Sequence, residues 1–211
     1  SENSLAFVYY ENRPAVGLGV IDTSNNIKYF LEGGELKETP PYGEIKGPGE
    51  YVKWLEVGDF DGDKRKEIAV QYIVSGSGLF HPFYVYKERG SSFRLLLKRN
   101  DGVSEAQLTD LNNDEKKEIL YSYVIDASGA GPRSWTVWKE VWGWREGELE
   151  LMSHKFPAIY KNLISFYDNL LTDPDPDSWL KAYYPMIDCL KTRAKTNISG
   201  ILADVKTCRE T

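Results

Sequence analysis

Two short acidic stretches, starting 51 residues apart at Asp59 and Asp110, hold the side chains best suited to chemistry. The first reads Asp59-Phe60-Asp61-Gly62-Asp63-Lys64-Arg65-Lys66-Glu67, the second Asp110-Leu111-Asn112-Asn113-Asp114-Glu115-Lys116-Lys117-Glu118. Both place oxygen-bearing side chains at positions one, three, five and nine, and both run on into apolar residues, Ile68-Ala69-Val70 and Ile119-Leu120-Tyr121. Alternate side chains on a tight loop can turn toward one point, and a hard cation such as calcium takes roughly six to eight oxygens at about 2.3–2.6 Å. Cation coordination is the chemistry on offer. An EF-hand is excluded, because its bidentate Glu stands at position twelve, where this chain has Val70 and Tyr121. The β-branched and aromatic residues that follow each loop suit a strand.

Signals for catalysis are sparse. The two histidines, His81 and His154, lie in no Cys/His cluster and no H-E-x-x-H helix, and neither a G-x-S-x-G elbow nor a Walker loop occurs. Gly17-Leu18-Gly19-Val20 is too short for a dinucleotide fingerprint. His81, beside Pro82, is read as a packing or hydrogen-bonding residue. The acids from Asp59 to Glu67 can be read as paired carboxylates for glycoside hydrolysis, but like charges so closely spaced call for a counter-ion. A formal charge of −6 argues against nucleic-acid binding. No run of about 18 apolar residues is long enough to span a membrane.

The pattern Asp-x-Asp-x-Asp-x-x-x-Glu-Ile, followed by a strand, resembles the calcium loops of FG-GAP/VCBS repeats, which build β-propeller blades in integrin α-subunits and many bacterial surface proteins. The resemblance covers roughly residues 50–155. It implies Ca2+ as cofactor, with side-chain ligands Asp59, Asp61, Asp63 and Glu67 and the Arg65 carbonyl between them. In the second loop it implies Asp110, Asn112, Asp114 and Glu118, with the Lys116 carbonyl. The family usually has Gly after the third acidic position, where Lys64 and Glu115 stand; a Cβ there raises the cost of φ > 0. A metal-free turn, its side chains capping its own amides, is the alternative reading.

The elements that must position these loops repeat with them. Glu67 to Val74 aligns with Glu118 to Ile125, Phe83-Tyr84-Val85-Tyr86-Lys87 with Trp135-Thr136-Val137-Trp138-Lys139, and Phe93 to Leu97 with Glu148 to Met152. Each unit reads as strand, acidic loop, strand, Gly/Ser loop, strand, turn, strand, which is a four-stranded antiparallel blade. Before them, Val16 to Ile21 and Ile27 to Leu31 flank an Asx-rich turn and read as a hairpin, and residues 33–50 as a loop. The expected architecture is mainly β, an open or partial propeller with two full units at about 51–104 and 105–156 and a partial unit before them.

After Pro157 the apolar period shifts to about 3.6, with Ile159, Tyr160, Leu163, Ile164, Phe166, Tyr167, Leu170 and Leu171 on one broad helical face. The prolines at 174 and 176 end that helix. A second carries Trp179, Leu180, Tyr183, Tyr184, Ile187 and Leu190, kinked or interrupted at Pro185, and Ile201, Leu202 and Val205 suggest a last short one. Residues 157–211 thus form a helical segment packed on the β repeat region 1–156. The pair Cys189 and Cys208 invites a disulfide, which implies an oxidising compartment; two free thiols are the alternative. Asn197-Ile198-Ser199 is a glycosylation sequon.

The chain begins at Ser1 without Met or a signal sequence and is read as a mature or trimmed form. The combined expectation is a secreted, periplasmic or cell-surface calcium-binding repeat protein that acts as a binding or scaffold module, its metal structural. The alternative is a secreted carbohydrate-active hydrolase or lyase using the loop carboxylates. Tyr84, Tyr86, Trp135, Trp138, Trp142 and Trp144 are read as crowding two outer strands, most of them as core. A protein or glycan partner would meet loops 74–82 and 125–134, where Phe80, His81 and Arg133 are expected to lie exposed near one another.

Overall fold

Short apolar runs separated by turn residues become strands, and three four-stranded sheets carry most of the described residues. The computed structural model describes residues 4–10, 13–21, 27–32, 35–37, 50–74, 81–90, 92–99, 104–125, 136–172, 184–196 and 208. The first sheet runs β1 (Ser4–Tyr10), β2 (Arg13–Ile21), β3 (Ile27–Glu32) and β4 (Glu35–Lys37), each neighbouring pair antiparallel. The expected hairpin is β2–β3. The sheet is nevertheless a full four-stranded unit rather than a partial one, and Glu35–Lys37, expected as loop, is a strand. A three-residue edge strand pairs through its backbone, so it shows no apolar pattern.

The second sheet follows in order, β5 (Glu50–Gly58), β6 (Glu67–Val74), β7 (Phe83–Arg89) and β8 (Ser92–Arg99), all antiparallel. The third orders β9 (Ser104–Thr109), β10 (Glu118–Ile125), β11 (Thr136–Arg145) and β12 (Glu148–Leu151) in the same way. The four-stranded repeat expected from the alignment is present in both. Glu146 and Gly147, with φ of 52° and 79°, make the two-residue turn that joins β11 to β12. β7 and β11, expected as outer strands, are inner ones.

Being inner decides burial. Glu67 to Tyr72 on β6 and Phe83 to Lys87 on β7 are all buried, so both faces of this pair are covered. Alternation then sorts the side chains. Ile68, Val70, Tyr72, Tyr84 and Tyr86 form an apolar cluster, with Leu55, Val57 and Phe93 against it. The opposite parity carries Glu67, Ala69, Gln71, Phe83, Val85 and Lys87, and so brings polar groups into the interior. Gln71 is satisfied there: its Oε1 accepts from Trp54 Nε1 at 3.0 Å and its Nε2 donates to the Ser104 carbonyl at 3.3 Å.

The chain divides into two compact units, residues Ser1–Ala106 with Asp114–Lys116, and Gln107–Asn113 with Lys117–Thr211. In the second, α1 (Pro157–Leu171) buries Tyr160, Leu163 and Tyr167. The Tyr160 and Tyr167 hydroxyls donate to the carbonyls of Lys139 (2.8 Å) and Val137 (2.6 Å) and fasten the helix to β11. This buried stripe is narrower than the expected face, and Phe166 is 41% exposed. Pro157 sits at the helix start, where a missing N–H costs nothing. The helix α2 (Tyr184–Thr196) buries Met186, Ile187, Leu190 and Ala194, with Pro185 as its second residue. Lys191 pairs with Asp168 of α1. Cys189 and Cys208 form the expected disulfide. Residues 173–183, the sequon and the suggested last helix over 201–205 lie outside the described residues. No described helix is long and apolar enough to cross a membrane.

Candidate functional site

The first acidic loop joins β5 to β6 and is organised by its own carboxylates. Asp59 accepts the Gly62 amide at 2.7 Å and the Lys64 amide at 2.8 Å, one on each oxygen. Asp61 Oδ1 accepts the Asp63 amide at 3.2 Å, and Asp63 Oδ1 the Arg65 amide at 2.9 Å. Glu67, fully buried at the start of β6, reaches back to the Phe60 amide at 2.7 Å. These bonds hold a backbone that turns left-handed at Gly62 (φ 80°) and Lys64 (φ 70°).

The second loop repeats this geometry at equivalent positions. Asn113 and Glu115 stand at the same two places with φ of 62° and 66°. Leu111 donates to Glu118 at 2.9 Å as Phe60 does to Glu67, and Lys116 to Asp114 Oδ1 at 3.0 Å as Arg65 does to Asp63. Lys64 and Glu115 therefore adopt the conformation that a glycine would take at lower cost, as their position in the pattern led us to expect.

At the centre of the first loop the two loops part. β6 and β7 pair so that Glu67 faces Lys87, and directly opposed residues share a face of the sheet. The Lys87 ammonium hydrogen-bonds Asp61 Oδ2, lies 3.0 Å from Asp63 Oδ2 and 3.1 Å from Glu67 Oε1, and its side chain is 4% exposed. Arg65 grips Asp63 Oδ2 from outside, at 2.8 Å from Nε and 2.5 Å from Nη2. Burial acts to lower the pKa of Lys87, but the hydrogen bonds to Asp61, Asp63 and Glu67 outweigh it and raise it above its ordinary value. Burial raises Glu67, against the pull of the Phe60 amide and of Lys87. The Arg65 hydrogen bond holds Asp63 well below the usual carboxylate range.

In the second loop Ile119 faces Trp142, so the next position outward, across from Glu118, is Gly143. A Cβ on Gly143 would meet Glu118 Cγ at 3.6 Å and Met152 Sδ at 2.8 Å. Asn112 stands where the first loop has Asp61, and its Nδ2 donates to Glu118 Oε1 at 3.3 Å. Lys139, aligned with Lys87 by sequence, faces Ser122 instead. That alignment is therefore displaced by four residues in the longer β11.

Asp59, Asp61 and Glu67 each present an oxygen within 4.8 Å of the others and can hold a metal ion; among the described residues no other group of three acidic, His or Cys side chains converges in this way. The oxygens are hard donors, which fits a divalent cation, and the Lys87 ammonium at 3.1 Å is the contact on Glu67 Oε1. Lys87 contacts two of these three carboxylates, Asp61 and Glu67, and was missed in the sequence. The available signal was a single cation at the end of the apolar run Phe83 to Tyr86, on the parity that faces Glu67.

The other candidates separate. His81 Nδ1 donates to the Ser104 carbonyl at 2.7 Å, and Ser104 Oγ donates back to the His81 carbonyl at 2.9 Å, which is the hydrogen-bonding role expected of it. Tyr84, Tyr86 and Trp138 are buried, while Trp142 and Trp144 are half-buried. Phe80, Arg133, Trp135 and residues 75–80 and 126–135 lie outside the described residues. No family model, curated protein or solved structure matches this chain.

Proposed function

We propose that this chain is a repeat-built binding or scaffold module whose acidic loops are structural joints between strands, with calcium as the divalent ion their carboxylates suit. One observation carries this reading: the carboxylates turn inward, onto the amides of their own loop and onto a cation, rather than outward to a substrate. Asp59, for example, has both oxygens on the loop amides of Gly62 and Lys64. If an ion binds, Asp59, Asp61 and Glu67 would hold it, and it would supply positive charge at the loop centre. The FG-GAP/VCBS-like loop pattern and the three successive four-stranded units support a propeller-like arrangement as part of the same reading. The Cys189–Cys208 bridge supports a secreted, periplasmic or cell-surface setting, because such bridges persist in oxidising compartments.

Titration calorimetry with calcium chloride, paired with melting in calcium and in chelator, tests the metal. Free ion at a hundred times its dissociation constant adds about 2.7 kcal/mol per site. Heat of binding and a higher melting temperature in calcium are expected; identical melting curves and no heat would refute the calcium role.

A further inference from the structure

The first loop already contains a cation. We infer that Lys87 is that loop's resident counter-ion: its ammonium sits among Asp61, Asp63 and Glu67 where a divalent ion would neutralise them, so a divalent ion enters only by displacing the lysine. The inference rests on the cation-centred reading of the loop, but not on calcium binding by the parent chain.

Three observations converge on it. The Lys87 side chain is 4% exposed, and its ammonium contacts three carboxylates, Asp61, Asp63 and Glu67. Its placement is fixed by strand register, since Lys87 is the residue paired with Glu67. The second loop then serves as an internal comparison. It keeps the left-handed turns and the Glu118–Leu111 bond, yet it lacks the lysine, because Gly143 stands at that position. It lacks one carboxylate as well, because Asn112 replaces Asp61. At these two positions the positive and the negative charge are lost together, as expected if Asp61 and Lys87 neutralise each other. Restoring a side chain there would oblige Met152 to move, since a Cβ at Gly143 would meet its Sδ at 2.8 Å. A divalent ion and an ammonium a few ångströms apart, both drawing on the carboxylates of Asp61 and Glu67, repel one another, so the two exclude each other.

The test compares the parent, Lys87→Met and the double variant Lys87→Met/Asp61→Asn, which carries neither charge at the two positions where the second loop has Gly143 and Asn112. Calcium chloride is titrated into each, and melting is followed in calcium and in chelator. Lys87→Met is expected to melt below the parent in chelator and to bind calcium about tenfold or more tightly, the scale on which a like charge within a few ångströms disfavours a second. The double variant is expected to recover part of the melting temperature in chelator and to lose the added affinity. Lys87→Met that binds calcium no better than the parent would overturn the inference. Failure of the parent to bind calcium would instead remove only the proposed calcium role. Should Lys87→Met not fold, amine labelling of the parent in chelator decides: Lys87 is expected to be protected while exposed Lys64 reacts, and equal reactivity overturns the inference.

Discussion

Lys87 lies across the β6–β7 pair from Glu67, with its Nζ 3.1 Å from Glu67 Oε1, and both side chains are shut off from solvent. An inner strand pair thus carries a cation and an anion at one cross-strand position. The acidic loop folds back over them to add Asp61 and Asp63. Buried charge tolerates the loss of a partner poorly, because whatever remains is desolvated and uncompensated.

Glu67 is the sensitive member of this group. Its other oxygen accepts the Phe60 amide at 2.7 Å, so Glu67→Ala removes an ion-pair partner and an amide acceptor together. Denaturant unfolding should show a loss of about 3–5 kcal/mol. Glu67→Gln keeps an acceptor for Phe60 and should fall between that variant and the parent. Equal midpoints for parent and Glu67→Ala would rule out a structural role for the buried pair.

The left-handed residues make an opposite prediction. Lys64 and Glu115 hold φ of 70° and 66°, a conformation costing a residue with a Cβ about 1–2 kcal/mol. Lys64→Gly and Glu115→Gly retain their amides and should raise stability by up to about 1 kcal/mol each, once the greater chain entropy of glycine is subtracted. Gly62→Ala, at φ 80°, should lower it by a similar amount. The midpoints of denaturant unfolding check all three, and a loss of stability in both glycine variants would contradict the strain argument.

These loops also show how far the sequence could be read. Alternating acids followed by an apolar run marked both turns and the strands after them, because the pattern is local. The repeat of four strands was legible for the same reason. The partner of Glu67 was not: which residue of β7 faces it depends on register, and register depends on the length of the intervening loop. Aligning Phe83 to Lys87 with Trp135 to Lys139 hid the difference, since the longer β11 places Gly143 where Lys87 belongs. The strand Glu35–Lys37 was missed because it has no apolar periodicity.

The disulfide should matter to the helical segment. Cys189 of α2 is joined to Cys208, 19 residues on, and Cys208 is fully buried. Closing a loop of that size is worth about 3 kcal/mol in the chain-entropy model. Reductant should lower the melting temperature, and intact mass without reductant should be two hydrogens below the dithiol form. Full alkylation of both thiols in the unreduced native protein would show that the bridge is absent.

Alkaline pH should unfasten α1 from its sheet. Burial is the main reason that the Tyr160 hydroxyl is pushed up to about 12, and burial raises Tyr167 as well. An unfolded tyrosine ionises near pH 10. Between these values the unfolded chain has released a proton that the folded chain keeps, so the unfolded state gains as pH rises. The stabilisation is present in full below about pH 10 and lost as pH climbs through about 12. The tyrosinate absorption of the native protein should lag behind that of the denatured chain over this window, and then rise together with unfolding. Tyr160→Phe separates this from general alkaline damage. It keeps the ring against Trp138 but loses the hydrogen bond to the Lys139 carbonyl, so it should cost about 1 kcal/mol at neutral pH. Because phenylalanine has no proton to release, the variant should also lose less stability than the parent between pH 10 and 12. A variant whose alkaline loss matches that of the parent would show that Tyr160 does not set the pH limit.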